Sequence, residues 1–430
     1  MATTLLDKTT LEQKLVWYGI TCSYLFFFIG GLYVMGSVIG WFILALLLLR
    51  WVVQPDQIAN QGVVPALIWL WIVTMLIMLL ALWVAHDNWD LGTVKTIKSS
   101  IGWMKGWALI PIFLFIGYFA DIKSEMLVRA ICKLCFYSLI FALFSACIYI
   151  VGLSGNLFVS PLQAIGGPGV EFFSVSFFGI NPETGMPRWR FFGPWAPAAG
   201  FMACIYLVMC LQEKNSRWRN LGVAGCVAMI LLSQSRAGLL IFVCLVPLTL
   251  YFDKCLQPKI LLLIGLLLPL LILLSEPILQ VVFDYVEQIK QARPGSTRVR
   301  SALANIAVQR WESEAPIFGH GIVERGPKLV EGMAIGSHHT WFGLLYVKGV
   351  VGLLSLAIPM LATSIYLFYL SFYRHQARVA FALFSVFILY SFFENLEILA
   401  YLLWPALIYI GSSIKPLTAA EIDPYRRLPS

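Results

Sequence analysis

His338 and His339 stand side by side in Gly336-Ser-His-His-Thr-Trp341, and nine residues later comes Gly349-Val-Val-Gly352. An imidazole titrates near neutral pH and can take a proton from a hydroxyl, which makes His338 a candidate general base. Lone histidines are more often structural, so His320 and one of the adjacent pair are expected to pack rather than react. Glu394 and Glu397 are rival bases. The second group capable of chemistry is a set of arginines: Arg188, Arg190, Arg236, Arg298 and Arg300. A guanidinium stays charged at any working pH and grips phosphate oxygens in pairs, so these residues suit a diphosphate. Arg293, Arg310 and Arg325 have a plainer reading, as ion-pair partners of Glu312, Glu314, Glu324, Glu331 and the other acids of the same stretch. The sequence has no Asp-x-Asp pair, Walker loop, two-histidine metal spacing or Gly-x-Ser-x-Gly elbow. No metal and no cofactor are therefore expected, and a departing diphosphate would be neutralised by fixed cations.

The chain that must position these groups has 430 residues, of which 60% are hydrophobic and only 12% charged. A soluble domain carries about a quarter charged residues, so the composition indicates an all-α polytopic membrane protein. At roughly 20 apolar residues per span, about twelve transmembrane helices are expected, over residues 15–35, 36–53, 62–85, 103–120, 129–152, 195–211, 221–232, 237–252, 260–274, 340–373, 379–393 and 398–410. The stretch before the first of these is polar and lacks a cleavage site, so that span is expected to be retained. The net charge of +8 is spread over short loops, which excludes a nucleic-acid face and fits membrane topology.

Lys14, Lys123, Lys214, Arg217, Arg219, Arg374 and Arg378 fall in short loops on one side, which places both termini in the cytoplasm. Residues 1–430 then form one integral membrane domain with two long external loops, 154–193 and 275–339. The second, between spans nine and ten, is expected to carry the site. Within it, Ser296 to Trp311 reads as an amphipathic helix, with Val299, Leu303, Ile306 and Ala307 on one face. Its N-terminus would add positive potential beside Arg298 and Arg300. Arg236 lies between two short spans, where a charge needs a partner. Two glycines at 349 and 352 permit close helix packing or a kink. Of nine cysteines, Cys132-Lys-Leu-Cys135 has redox-motif spacing, but its apolar helix favours packing.

Taken together, His338-His339 followed by Gly349-x-x-Gly352, Arg190-Phe-Phe-Gly-Pro194, Ser235-Arg236, the arginine-rich start of the loop helix and Pro316 to Gly321 resemble the bacterial O-antigen ligases, a branch of the superfamily shared with O-antigen polymerases and protein O-oligosaccharyltransferases. The resemblance runs from about Arg188 to Gly352; the first five spans carry little signature. One departure is His339, where the family pattern has Asn, Ser or Gln, so the two histidines could share or exchange roles.

The resemblance implies a GT-C-like fold in the bacterial inner membrane with a periplasmic active site. The implied reaction moves an O-antigen glycan from undecaprenyl diphosphate to the lipid A-core oligosaccharide, by inversion and without metal, among membrane lipid. It casts His338, Arg190 and Arg236 as catalytic, and Arg188, Arg298, Arg300 and His339 as diphosphate-binding, with Arg298 and Arg300 competing for one role. Gly349 and Gly352 become a structural motif. Competing functions are an O-antigen polymerase, a protein O-oligosaccharyltransferase and, from another class, a transporter or flippase of lipid-linked sugars. A transporter should show internal repeats or paired broken helices, and neither is evident.

Overall fold

A computed structural model of the chain describes residues 10–53, 64–181, 185–244, 294–336 and 339–417. The expected span over 260–274, the start of the long loop with Arg293, and His338 itself lie outside the described residues. What is described is predominantly helical. Helices Leu32–Val53, Ala66–Asn88, Thr93–Phe119, Ser124–Ile150, Thr340–Ser371 and Leu396–Ser413 are long and apolar enough to cross a membrane. That makes a polytopic membrane protein, with six such helices among the described residues against the twelve expected along the whole chain.

In chain order the helices are α1 (Leu11–Thr21), α2 (Ser23–Phe28), α3 (Leu32–Val53), α4 (Ala66–Asn88), α5 (Thr93–Lys105), α6 (Leu109–Phe119), α7 (Ser124–Ile150), α8 (Ala196–Cys210), α9 (Ser216–Ser233), α10 (Pro294–Glu314), α11 (Thr340–Ser371), α12 (His375–Ser391) and α13 (Leu396–Ser413). The first expected span is broken into α1 and α2 and then turns at Gly30, whose φ of 68° suits glycine. Ser23 contributes to the break, because its hydroxyl bonds the Gly19 and Ile20 carbonyls at 3.2 and 2.8 Å. Helix α8 is too short to span alone, yet all its residues except Pro197 are buried. A helix apolar on every side belongs inside the bundle, and α8 packs there against α7, α9, α12 and α13.

The segment between α7 and α8 forms two antiparallel hairpins: β1 (Asn156–Val159) with β2 (Ser174–Ser176), and β3 (Phe178–Ile180) with β4 (Pro187–Trp189). Helix α10 has the expected amphipathic face: Val299, Leu303 and Ala307 are buried, and Ile306 is half-buried.

Gly349 breaks α11 with φ 61° and ψ −163°, a conformation essentially reserved for glycine. Two helical rungs are thereby opened, and the Pro316–Gly321 turn fills both. His320 N–H donates to the Tyr346 carbonyl and Gly321 N–H to that of Val347, both at 2.9 Å. Val350 and Val351 N–H groups donate back to the Pro316 and Ile317 carbonyls at 3.0 and 3.2 Å. Every backbone group freed by the kink has a partner, as a buried break requires. Gly349 is therefore a docking slot for the long loop, rather than a helix-on-helix contact.

Candidate active site

Arg188 sits on β4, paired across the hairpin with Gly179, and Arg190 follows at the start of a tight turn. In that turn Phe191, fully buried, takes the left-handed conformation (φ 53°), and the Gly193 N–H donates to the Arg190 carbonyl at 2.8 Å. Such a backbone costs about 1–2 kcal/mol for a non-glycine residue. It turns the Arg190 guanidinium back onto the Pro194 carbonyl and towards that of Glu171 at 3.5 Å. The Arg190 Nε is buried without a hydrogen-bond partner among the described residues. Burial lowers the pKa of Arg190 and the neighbouring Glu171 opposes this; starting so high, the group keeps its charge at neutral pH.

The step between α9 and the helical residues 236–244 is latched onto the same hairpin. Gln234, left-handed at φ 51°, donates its side-chain amide to the Pro187 carbonyl at 3.2 Å. Arg188 Nε donates to the Ser233 carbonyl at the same distance. Arg236, half-buried, opens the next helical stretch. Residues nearly fifty positions apart in the chain, Arg188 and the Ser233–Arg236 step, are thus brought to one corner.

Arg188 and Arg190 line a cavity of about 690 Å³ together with Glu171, Trp195, Gly336, Thr340, Gly343, Asn395 and Glu397. That volume lies in the range of small-molecule sites. The lining comes from the hairpin, the start of α8, the end of the long loop, the first turns of α11 and the start of α13. His338 falls in the chain between Gly336, in that lining, and His339.

His339 caps α11: its Nδ1 accepts the Phe342 N–H at 3.4 Å, and its ring lies 4.1 Å from that of Phe342. Burial holds its pKa down at about 4, so it is neutral at physiological pH. This geometry gives His339 a capping role. His320 is a structural latch, 2% exposed, with Nε2 2.7 Å from Glu314 and Nδ1 3.0 Å from the Tyr346 carbonyl, between the rings of Trp89 and Tyr346. Arg310 has the plain pairing expected of it, with Glu314 at 2.9 Å and Glu324 at 2.6 Å. Arg298 is exposed, whereas Arg300 reaches inward to the Phe393 carbonyl at 3.4 Å.

Behind the cavity wall lies Glu394, 2% exposed in the turn between α12 and α13. Trp195 Nε1 donates to its carboxylate at 3.0 Å, and its backbone carbonyl accepts from the Thr340 hydroxyl at 2.7 Å. Burial pushes its pKa up to about 7, against the pull of Arg300, the Trp195 hydrogen bond and Arg188. It is the group by which Arg300, Arg188 and the mouth of α8 share one field.

Sequence reasoning passed over Lys348, 3% exposed, whose ammonium lies 3.1 Å from Glu397. Gly352 leaves the room through which the Lys348 stem passes. A lone lysine inside an apolar span was the available signal. Trp195 and Glu171 had none, since their importance comes only from what they face.

The raised Glu394 pKa has a consequence for stability. Between the unfolded value of 4.5 and the folded value of about 7, the folded state holds the proton more tightly. Stability is therefore full below the lower value and falls as pH rises through the upper one. At roughly 1.4 kcal/mol per pKa unit the loss amounts to about 3 kcal/mol. We expect the melting temperature of the wild type to fall between about pH 5 and pH 8, and Glu394→Gln to flatten that fall. Parallel pH–melting curves for the two proteins would sink the assignment.

Residues 221–357 match the family model described as O-Antigen ligase. Over these residues the chain is similar to the O-antigen ligase family. No curated protein matches the chain. The O-antigen ligase match takes in Arg236, Arg300, the Pro316–Gly321 turn, the two histidines, Gly349 and Gly352. Arg188, Arg190 and Glu394 lie outside it, and the fold brings them to the matched segment. Members of the matched family are ligases and polymerases that act on lipid-linked glycans.

Proposed function

We propose that the chain is an O-antigen ligase, transferring a glycan from undecaprenyl diphosphate to a sugar hydroxyl of lipid A-core at the periplasmic face of the inner membrane. One observation carries the reading: two arginines, Arg188 and Arg190, line a single cavity with Gly336 and Thr340. An anionic leaving group fits beside the arginines, and a hydroxyl acceptor beside Thr340, two residues after His338 in the chain. Arg190, Arg188 and Arg236 hold the diphosphate, and Arg300 adds positive potential from the α10 side. His338 takes the acceptor proton as the hydroxyl oxygen attacks the anomeric carbon, and undecaprenyl diphosphate departs from the opposite face. The developing charge on that leaving group is stabilised by fixed guanidinium groups, which need not reorganise during the reaction. The neutral His339 beside it caps the helix and leaves base chemistry to His338. Recognition through the diphosphate predicts tolerance of different donor glycans.

The test is transfer by purified protein supplied with undecaprenyl-diphosphate glycan and lipid A-core, for wild type, His338→Ala and Arg236→Ala. Glycan attached to lipid A-core by the wild type and lost in both variants is the expected result. Longer lipid-linked chains without attachment would make the protein a polymerase. Neither product from folded protein would remove the enzyme reading, leaving flux of lipid-linked sugar across vesicles to be measured.

A further inference from the structure

The transfer reading leaves four cysteines unexplained. Cys132 and Cys135 lie one turn apart on α7, Cys210 ends α8, and Cys226 projects from α9; all four are at most 2% exposed. The sulfurs of Cys135, Cys210 and Cys226 converge from three helices. Cys135 Sγ lies 3.4 Å from Cys226 Sγ and 4.0 Å from Cys210 Sγ, and the latter two are 4.0 Å apart. Among the described residues this is the one group of three or more His, Cys, Asp or Glu side chains whose ligand atoms lie within 4.8 Å of one another. Cys132 borders the cluster without joining it: a methyl placed on Gly222 would meet Cys210 Sγ at 2.8 Å and Cys132 Sγ at 3.0 Å. Gly222 thus leaves space that two sulfurs border.

The spacing suits a metal. A tetrahedral thiolate site with metal–sulfur bonds of about 2.3 Å has sulfur–sulfur edges of about 3.8 Å. The measured edges of 3.4, 4.0 and 4.0 Å straddle that value. Soft thiolates select Zn²⁺ or Cu(I) over Mg²⁺ or Ca²⁺. Three thiolates around a dication leave net negative charge, and two cations stand on the same helix. Lys133 lies between the paired cysteines, and Arg129, one turn before, is bonded through Nε and Nη2 to both oxygens of Glu213 at 2.7 Å.

We propose that Cys135, Cys210 and Cys226 form a three-thiolate site for a thiophilic d¹⁰ cation, Zn²⁺ first, that ties α7, α8 and α9 together. Binding displaces the thiol protons to solvent. The site stands at the far end of α8 from Trp195, roughly 22 Å away at 1.5 Å per residue, so it supplies no group to the transfer cavity. Its role is to fix α9, whose far end carries the Ser233–Arg236 step.

The test uses reduced, full-length protein and Co²⁺ as the probe. One equivalent should bind with sulfur-to-cobalt charge-transfer absorption in the near ultraviolet and visible bands of tetrahedral cobalt, and Zn²⁺ should bleach both. The signal should vanish in Cys226→Ser and Cys210→Ser and persist in Cys204→Ser, whose sulfur lies apart from the cluster. Monodisperse wild-type protein that binds no Co²⁺ through sulfur overturns the proposal without any variant. So does a charge-transfer band that survives both substitutions.

Discussion

Arg190→Ala is expected to slow glycan transfer by about 10²–10³-fold, the usual effect of deleting one fixed donor to a developing anion. The protein should stay folded, because the guanidinium bonds only backbone carbonyls of its own loop region, Pro194 and Glu171. Arginine at this position supplies two things that lysine cannot supply together, a permanent charge and a planar fork. Arg190→Lys should therefore recover only part of the rate. The loss should appear in single-turnover measurements at saturating donor, since an interaction strengthened in the transition state moves the rate more than the binding. A rate within a few-fold of wild type would show that the diphosphate is held elsewhere. The companion Arg188→Ala is a less clean probe, because Arg188 also holds the Ser233 carbonyl and would disturb the hairpin with the charge.

Gly349→Ala should fail at an earlier stage, in folding. Its backbone, at φ 61° and ψ −163°, costs an alanine about 1–3 kcal/mol. Its new methyl would also run into the Ile317 carbonyl and the Phe318 nitrogen. To relieve both, the chain would withdraw the Pro316–Gly321 turn, leaving the Tyr346 and Val347 carbonyls and two amide groups unpaired. Each unpaired buried group adds about 1–3 kcal/mol. We expect a drop of several degrees in melting temperature, faster proteolysis within the long loop, and loss of transfer as a result. Gly352→Ala is the comparison: its methyl would meet the Lys348 stem, disturbing the Lys348–Glu397 pair while sparing the turn. A Gly349→Ala protein as heat-stable and protease-resistant as wild type would contradict the docking-slot reading.

The motif residues were legible in the sequence, but their roles were distributed differently. Of the paired histidines, the departure from the family pattern at His339 turned out to cap a helix, which a side chain three residues before a free amide can do. Of the loop arginines, Arg310 took the plain ion-pair role because Glu314 lies one turn on, a local relation that spacing alone reveals. Arg298 and Arg300 could not be separated by spacing, because which of them faces inward depends on how α10 rolls against the bundle. Lys348 was visible as a lone charge in an apolar run, but its partner Glu397 is 49 residues away.

A helical membrane protein, the residues that carry permanent charge and the order of the motif residues could all be read from the chain alone. These follow from composition, periodicity and local spacing, where each residue's preference is settled within a turn or two. Packing alone brings Arg188 and Arg190 into one cavity with Thr340 and Glu397, buries Glu394 against Trp195, and makes three cysteines from three helices converge. Those juxtapositions join residues tens to hundreds of positions apart. They are fixed by which helix faces pack together, and the apolar faces of these helices are too alike in sequence to specify their partners.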